Sequence, residues 1–263
     1  MHFAQLIEQV RDAQTVSIPA VWGQGRTVFG GLSVAMVYEA MRLKIADARP
    51  IRSLAVTFVG PLMVDEPVRF EVQVLREGKS VSQVLGKAIQ NGAVQVLVQG
   101  SFGHSRESLV SVKALPAPDF APWQQCPNPV FKPESMPAFV QYLAVRWAQG
   151  QPPASNSRER FIGGWVQLRD APLQALDVTH ILALVDAWPP ATLSHLPERK
   201  PSNSLTWTIE FVQPLAQLTT DDWCAYQAEI EHAIDGYGHI AARLWAPDGS
   251  LIALSRQTVT LFG

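Results

Sequence analysis

Alternation of apolar and polar residues dominates much of this chain. In the segment VRFEVQV (residues 68–74), Val and Phe occupy every second position, and Arg, Glu and Gln lie between them. A period of two is typical of a β-strand with one buried face. Similar segments follow one another, separated by turn sequences such as NG and DG. The predicted strands are 52–62, 68–78, 80–89, 93–103, 139–150, 160–170, 204–215, 223–234, 238–247 and 250–263.

Three segments depart from this alternation and predict helices. The segment FGGLSVAMVYEAMR (29–42) begins with paired glycines, and the N-terminal segment 1–14 is interpreted as a short amphipathic helix. The third helix lies around HILALVDAWPPA (180–191), where Asp186 is a single carboxylate on an apolar segment. Asp177 is its predicted N-cap, and the paired prolines at 189–190 are expected to end it.

Prolines divide the chain. Nine of the twenty prolines fall between Pro116 and Pro153. Proline lacks the backbone donor that helices and central strands need. We therefore predict a proline-rich linker at 113–134 that runs over the surface between an N-terminal unit, 1–112, and a C-terminal unit, 135–263.

The two units resemble each other. SLAVTFVGPL (53–62) aligns with SLTWTIEFVQPL (204–215) on the pattern F-V-x-P-L, and 89–102 aligns with 246–259 on a shared glycine. We interpret this as a duplicated domain of α+β class, in which each copy has one long helix followed by an antiparallel sheet. Two such copies can pair their sheets edge to edge, which removes exposed strand edges.

Composition narrows the classes of function. The chain has 263 residues, 47% of them hydrophobic, and a formal net charge of −2 with scattered basic residues, so we expect no nucleic-acid partner. Cys126 and Cys224 form no CxxC pair, and His232 and His239 show no metal-ligand spacing, so neither a disulfide framework nor a metal is expected. No phosphate loop or dinucleotide fingerprint is present, and no cofactor is expected.

The sequence also bears on where in the cell the protein is located. The N-terminal segment carries Glu8, Arg11 and Asp12 where a signal peptide would need an apolar core. No segment reaches the roughly 20 apolar residues of a membrane span. We therefore expect a cytoplasmic, soluble protein without a membrane span.

Four motifs in order resemble those of the acyl-CoA thioesterase II family and its thioesterase-like relatives. They are RTVFGGLSVAMVYEAM, ALVDAWPPA, SLTWTIEF and LSRQTV, and the resemblance covers Arg26 to Gly263 apart from the linker. It implies a double hotdog, two units in which a curved antiparallel sheet wraps a long helix. It also implies an enzyme of fatty acid metabolism that hydrolyses an acyl-CoA to free acid and CoA. Further pairing into a homo-oligomer, a dimer of double hotdogs, is common in that family.

The resemblance also implies catalytic residues. The family holds the attacking water with an Asp, a Ser or Thr and a Gln, which fall by motif on Asp186, Ser204 and Gln257. All three residue types suit that task, because a carboxylate accepts a proton and the hydroxyl and amide both donate and accept hydrogen bonds.

The paired glycines Gly30 and Gly31 are the candidate oxyanion and substrate-binding site, together with Leu32. Unpaired N–H groups at a helix start attract a developing oxyanion. The resemblance implies that the N–H of Gly31 or Leu32 faces the acid of the other unit; tight packing of helix on strand is the alternative. Family members often carry Gln where this chain has Leu32, so its side chain supplies no polar group.

The duplication predicts one active site per chain, in the second unit. In the alignment of the halves, Ile51 occupies the position of Ser204 and Gly100 that of Gln257. Glu39 is the nearest counterpart of Asp186. It is either a second acid or, in the interpretation that we prefer, a solvated or hydrogen-bonded helix carboxylate.

Two other functions stay open at this point. The same fold serves hydratases and dehydratases, which often use Asp and His on one helix face, but His180 lies six residues before Asp186 and so on roughly the opposite face. A non-catalytic acyl-CoA-binding protein is the second alternative, since a fold alone does not imply activity. The acyl chain length is not fixed by the sequence.

Overall fold

The computed structural model describes residues 2–12, 15–47, 49–169 and 171–262. Its helices are α1 Phe3–Asp12, α2 Gly30–Arg42 and α3 Val178–Val185. Its strands are β1 Thr15–Ser17, β2 Gly23–Gln24, β3 Thr27–Val28, β4 Ile51–Phe58, β5 Pro67–Glu77, β6 Val81–Gln90, β7 Ala93–Gly103, β8 Leu143–Gln149, β9 Phe161–Leu168, β10 Ser202–Phe211, β11 Cys224–Ile234, β12 Tyr237–Trp245 and β13 Leu251–Leu261. No described helix is long and apolar enough to cross a membrane.

Most predicted elements are present. The ten predicted strands correspond to β4–β13 with shifted ends, and the three predicted helices correspond to α1–α3. Asp170 and Gly263, the last residues of two predicted strands, lie outside the described residues, as do Met1, Ala13 and Gln14 of the predicted N-terminal helix.

Eleven strands form one antiparallel sheet in the order β1-β5-β6-β7-β4-β10-β13-β12-β11-β9-β8. The order β5-β6-β7-β4 of the first half is mirrored by β11-β12-β13-β10 of the second half. The halves meet where β4 pairs with β10, with Leu54 opposite Ile209. Both residues are fully buried, so the two halves share a continuous sheet and a continuous core.

Helix α2 lies against β6 and β7, and also contacts α1 and α3. Gly86 on β6 allows the close approach, because a Cβ there would lie 2.6 Å from Met41 Sδ and 2.6 Å from Val37 Cγ1. Gly100 on β7 does the same, since its Cβ would lie 2.7 Å from Met41 Cε. The glycines of this half therefore provide the space that the helix occupies.

Helix α1 is attached to α2 through a buried carboxylate. Glu39 is completely buried and accepts hydrogen bonds from Arg42 Nη2 at 2.7 Å and from Arg11 Nε at 2.5 Å. Burial raises the pKa of Glu39, but the hydrogen bonds from both arginines outweigh it and hold the pKa below its usual value. Glu39 is thus the hydrogen-bonded carboxylate of the sequence interpretation, not the solvated one.

The helix around Asp186 is shorter than predicted. Only eight residues are helical, and Asp186 is the C-cap, not an interior residue. Proline explains this end, because Pro189 and Pro190 cannot donate to the carbonyls four residues earlier and Pro189 disfavours helical geometry at Trp188. The expectation of a long helix in each unit is therefore wrong for the second half.

The chain between β7 and β8, whose residues are all described, contains no strand. Two indole N–H groups hold it against the sheet, since Trp245 donates to the carbonyl of Leu115 at 3.2 Å and Trp165 donates to that of Ala121 at 3.0 Å. Trp165 and Trp245 alternate with the strand residues that face α3. The connection therefore runs over the outer face of the second half.

The fit of α2 against β6 predicts a stability difference between two glycine substitutions. We expect Gly86→Ala to lower the free energy of unfolding by about 1–3 kcal/mol, because the new methyl group overpacks Met41 and Val37. Gly103→Ala is the control, since its Cβ would meet nothing closer than 3.5 Å. Denaturant unfolding of both variants measures the difference, and equal stabilities would contradict this account of the packing.

Candidate active site

Asp186 stands at the end of α3, whose eight residues are all buried. The start of this helix is fixed by Asp177, whose side chain accepts hydrogen bonds from the backbone N–H of Thr179 and His180. An apolar helix held in the core thus delivers one half-buried carboxylate at its C-terminal end.

A chain of hydrogen bonds joins the three residues expected to hold water. Gln257 Nε2 donates to Asp186 Oδ1 at 2.9 Å, and Ser204 Oγ donates to Gln257 Oε1 at 3.1 Å. Asp186 caps α3, Gln257 lies on β13 and Ser204 lies on β10. Asp186 and Gln257 are 71 residues apart in sequence, and Ser204 and Gln257 are 53 residues apart. Their geometry agrees with the sequence expectation, while their catalytic role stays a prediction.

A β-bulge turns Ser204 toward this network. The pairing of β10 with β13 shifts between Ser204 and Thr206, so that Ser204 lies opposite Val259 and Thr206 opposite Thr258. Leu205 is the extra residue. Without the bulge, alternation would place Ser204 on the face of Thr206, away from Gln257. The first half has the same irregularity, with Ile51 opposite Phe102.

The start of α2 lies against Asp186. The backbone N–H of Gly31 donates a hydrogen bond to the Asp186 carboxylate. A Cβ on Gly30 would lie 2.8 Å from Asp186 Oδ2, and a Cβ on Gly31 would lie 3.0 Å from Asp186 Cβ. Glycine is therefore required at both positions for the first half to approach the acid of the second half. Leu32, the third candidate residue, has a fully buried side chain within the core.

Burial raises the pKa of Asp186 to about 7. The hydrogen bonds from Gln257 and from the Gly31 backbone oppose this rise, but they do not cancel it. A carboxylate with such a pKa exchanges a proton near neutral pH, which suits a general base.

A small pocket opens beside the network. Gln257 forms part of its wall, together with Val185, Trp188, Tyr226, Ile240 and Ser255. Burial raises the pKa of the Tyr226 phenol, and the negative charge of Asp186 raises it further. The two side chains therefore interact electrostatically. No motif pointed to Tyr226, but the alternation of Cys224, Tyr226 and Ala228 is a signal that places it on the inner face of the sheet.

The matching position in the first half is filled. The alignment of halves places Gly100 where the second half has Gln257, and the strand registers agree: Leu54 pairs with Gly100 as Trp207 pairs with Gln257. Met41 occupies the space over Gly100. The first half thus has a thioether where the second has an amide.

Other candidates have structural partners. The two ring nitrogens of His180 lie 2.7 Å from Asp177 Oδ1 and 3.0 Å from Gln174 Nε2, so the imidazole is used at the start of α3. This leaves no observation that favours a His–Asp dyad with Asp186. Within the described ranges, no group of three or more His, Cys, Asp or Glu side chains could hold a metal ion.

Comparison with solved structures establishes the fold. A conserved protein of unknown function with a hotdog fold, from Alicyclobacillus acidocaldarius, is 24% identical, with a TM-score of 0.82 over 96% of this chain and 94% of that one. An acyl-CoA thioesterase II from Mycobacterium marinum is 22% identical, with a TM-score of 0.75 over 97% of each chain. The protein therefore has an α+β hotdog fold. A search of curated proteins finds no match.

Family models make the relationship specific. The model of the acyl-CoA thioesterase N-terminal domain matches residues 18–103, and that of the acyl-CoA thioesterase C-terminal domain matches residues 112–261. The chain thus belongs to the acyl-CoA thioesterase family, as the sequence motifs indicated.

The raised pKa of Asp186 predicts how stability depends on pH. Between the ordinary value of 3.8 and about 7, the folded protein binds more protons than the unfolded chain, so the Asp186 contribution to stability falls as pH rises through this window. Asn cannot titrate. We therefore expect Asp186→Asn to gain stability relative to the wild type, by up to about 4 kcal/mol, as pH rises from about 4 to about 8.

Denaturant unfolding at several pH values measures this difference. Glu39→Gln is the matched contrast, because the pKa of Glu39 is lowered and its stabilising contribution is lost only as pH falls through that value. A constant difference between Asp186→Asn and the wild type across the window would show that Asp186 is not a high-pKa carboxylate.

Proposed function

We propose that the protein is an acyl-CoA thioester hydrolase with one active site per chain, in the second half. The observation that carries this proposal is the hydrogen-bonded series Ser204–Gln257–Asp186, which ends at the backbone N–H of Gly31. Membership of the acyl-CoA thioesterase family supports the substrate class.

Each group has a defined task in this mechanism. Water held by Asp186, Gln257 and Ser204 attacks the thioester carbonyl carbon while Asp186 accepts a proton from it. The carbonyl oxygen becomes an oxyanion beside the start of α2, where the helix dipole is positive. Collapse of the intermediate breaks the C–S bond, and CoA leaves as the thiol with the proton from Asp186.

The arrangement of the sheet supports a double hotdog as the finer description of the fold. We propose that residues 1–112 and 135–263 are the two hotdog units, joined edge to edge through β4 and β10, and that 113–134 links them. The separate family matches to the two parts of the chain support this division.

The asymmetry of the halves supports a single site. Glu39 is engaged by Arg11 and Arg42, and Gly100 offers no side chain to hold water. The positions that match Asp186 and Gln257 therefore supply neither an unpaired carboxylate nor an amide in the first half.

A panel of acyl-CoAs of different chain length, with a thiol reagent, tests the proposal. We expect the wild type to release CoA from at least one of them, and Asp186→Asn to lower kcat about 10²–10⁴-fold, since it removes the general base. Asn preserves the shape of the site, and Gln257 can turn its amide so that its oxygen accepts a hydrogen bond from the new Asn side chain. Glu39→Gln is the matched control, and its kcat should stay near the wild-type value.

Three outcomes would each contradict part of the proposal. Tight acyl-CoA binding without thiol release from any chain length would identify a non-catalytic binding protein. Wild-type turnover by Asp186→Asn would place the base elsewhere, and an equal loss in Glu39→Gln would reject the single site.

The activity should also depend on pH in a defined way. Because the ionised carboxylate is the base, kcat/KM should rise with pH and level off above an apparent pKa of about 7. The assay should follow the loss of the thioester directly, so that ionisation of the released thiol does not affect the signal. A flat profile from about pH 5 to about pH 8 would contradict the assignment of Asp186 as base.

A further inference from the structure

Two aromatic stacks connect the segment before α2 to the beginning of the second half. The rings of Phe29 and Phe139 have centroids 4.0 Å apart and an interplanar angle of 9°. Those of Trp22 and Tyr142 have centroids 4.4 Å apart and an interplanar angle of 12°. Trp22 and Phe29 precede α2, and the short 3₁₀ helix Ala138–Tyr142 supplies both of their partners. We call these four residues the aromatic clamp.

The clamp is buried, and hydrogen bonds join the segments that carry it. Trp22, Phe29 and Phe139 all lie in the core. The backbone N–H of Phe29 donates to the carbonyl of Trp22 at 2.9 Å, and Gln141 Nε2 donates to the carbonyl of Val21 at 3.4 Å. Stacked aromatic pairs add to the stability that burial alone supplies. The two halves are therefore tied together immediately before the first turn of α2.

The Phe29 ring lies beside Asp186. A Cβ on Gly31 would lie 2.7 Å from Phe29 Cζ and 3.0 Å from Asp186 Cβ, so both side chains adjoin the same point over Gly31. The Gly31 N–H donates to the Asp186 carboxylate from this position. The ring thus covers the contact between α2 and the acid, while Phe139 lies against the face of the ring.

The two long helices of the core begin in different ways. Asp177 caps α3, and its side chain accepts from backbone N–H groups of the first turn. Phe29 occupies the N-cap position of α2 and makes no side-chain hydrogen bond to the helix. A polar cap would engage the N–H groups at this end. The aromatic clamp therefore holds the start of α2 while its N–H groups stay available to the Asp186 carboxylate and to an oxyanion.

Apolar cover at this place also affects the ionisation of Asp186. Burial is the largest cause of its raised pKa, and an aromatic ring excludes water from a carboxylate without replacing the hydrogen bonds of that water. The other described groups that act on this carboxyl are Gln257, the Gly31 N–H and the Tyr226 phenol. None of them belongs to the clamp. The clamp therefore acts on Asp186 through water exclusion and through the position of Gly31.

From these contacts we infer that Phe29 and Phe139 are positioning residues of the active site, with Trp22 and Tyr142 as their support. They keep water away from the Asp186 carboxylate, and they hold the start of α2 against it. Neither ring takes part in a bond that forms or breaks. This inference rests on the proposed thioesterase function.

Phe139→Ala tests this role with the best substrate of the acyl-CoA panel. The smaller side chain leaves room for water beside the Phe29 ring, and water that reaches Asp186 stabilises its ionised form. The apparent pKa of the kcat/KM profile should therefore fall from about 7 to about 6. A displaced start of α2 should also lower kcat about ten- to hundredfold and leave KM within about threefold of the wild-type value.

Phe120→Ala is the matched control. Phe120 also covers a glycine, since a Cβ on Gly163 would lie 2.8 Å from Phe120 Cζ. It contacts Trp165 on the outer face of the second half, away from Asp186. The pH profile and kcat of this variant should match those of the wild type, although its stability falls.

Tyr142 provides a second pair of variants, which decides the question if Phe139→Ala fails to fold. Tyr142→Phe keeps the ring against Trp22 and should behave as the wild type does. Tyr142→Leu removes the stack, and its profile should shift in the same direction as that of Phe139→Ala, by a smaller amount.

The pKa of Asp186 can also be measured without turnover. The unfolding free energies of Phe139→Ala, or of Tyr142→Leu, and of the same variant with Asp186→Asn are compared across pH, because their difference follows the ionisation of this one carboxyl. In the clamp variant, the window of pH dependence should end at a lower pH than in the wild type.

The outcomes separate this inference from the proposed function. Lower stability with a wild-type kcat, pH profile and Asp186 pKa in Phe139→Ala or Tyr142→Leu would assign the clamp a structural role only, and would leave the thioesterase function standing. An equal shift in Phe120→Ala would overturn the inference as well. Thiol release by the wild type from no acyl-CoA would overturn the proposed function and, with it, the positioning role, whatever the unfolding comparison shows.

Discussion

Asp186 lies so close to the start of α2 that a side chain on either of the first two helical residues would collide with it. Gly30 and Gly31 make that approach possible, and the Gly31 N–H meets the carboxylate directly. This contact joins the acid of one half to the helix of the other, so the proposed site in the second half also depends on the first. The position of Gln257, the raised pKa and the pocket beside it all depend on how α2 and α3 are held across the β4–β10 junction.

The same contact explains why a carboxylate can stay at the end of an apolar helix. Burial opposes ionisation, while an amide from Gln257 and a backbone N–H from Gly31 offset part of that cost. The balance leaves the group able to gain and lose a proton near neutral pH. A stronger partner, such as the two arginines around Glu39, would instead hold the carboxylate permanently ionised.

Alternation predicted the strands, and the motif resemblance singled out the three residues of the network, because both are local signals. They did not predict the bulge at Leu205, which turns Ser204 inward, since an extra residue in one strand is defined only by its partner. They placed Asp186 inside a helix that in fact ends before it. They also missed Tyr226 and the pairing of Glu39 with Arg11, because such contacts join distant parts of the chain.

The Glu39–Arg11 pair shows how differently the two halves of the chain use a helix carboxylate. In a dimer of identical subunits, every substitution occurs twice, and a base removed from one site is removed from both. Fusion of two copies ends that constraint. In this chain the first half engages Glu39 with Arg11 of α1 and places Met41 over Gly100, while the second half joins Asp186, Gln257 and Ser204 by hydrogen bonds. Under the proposed single-site arrangement, one half serves as scaffold and the other carries the chemistry.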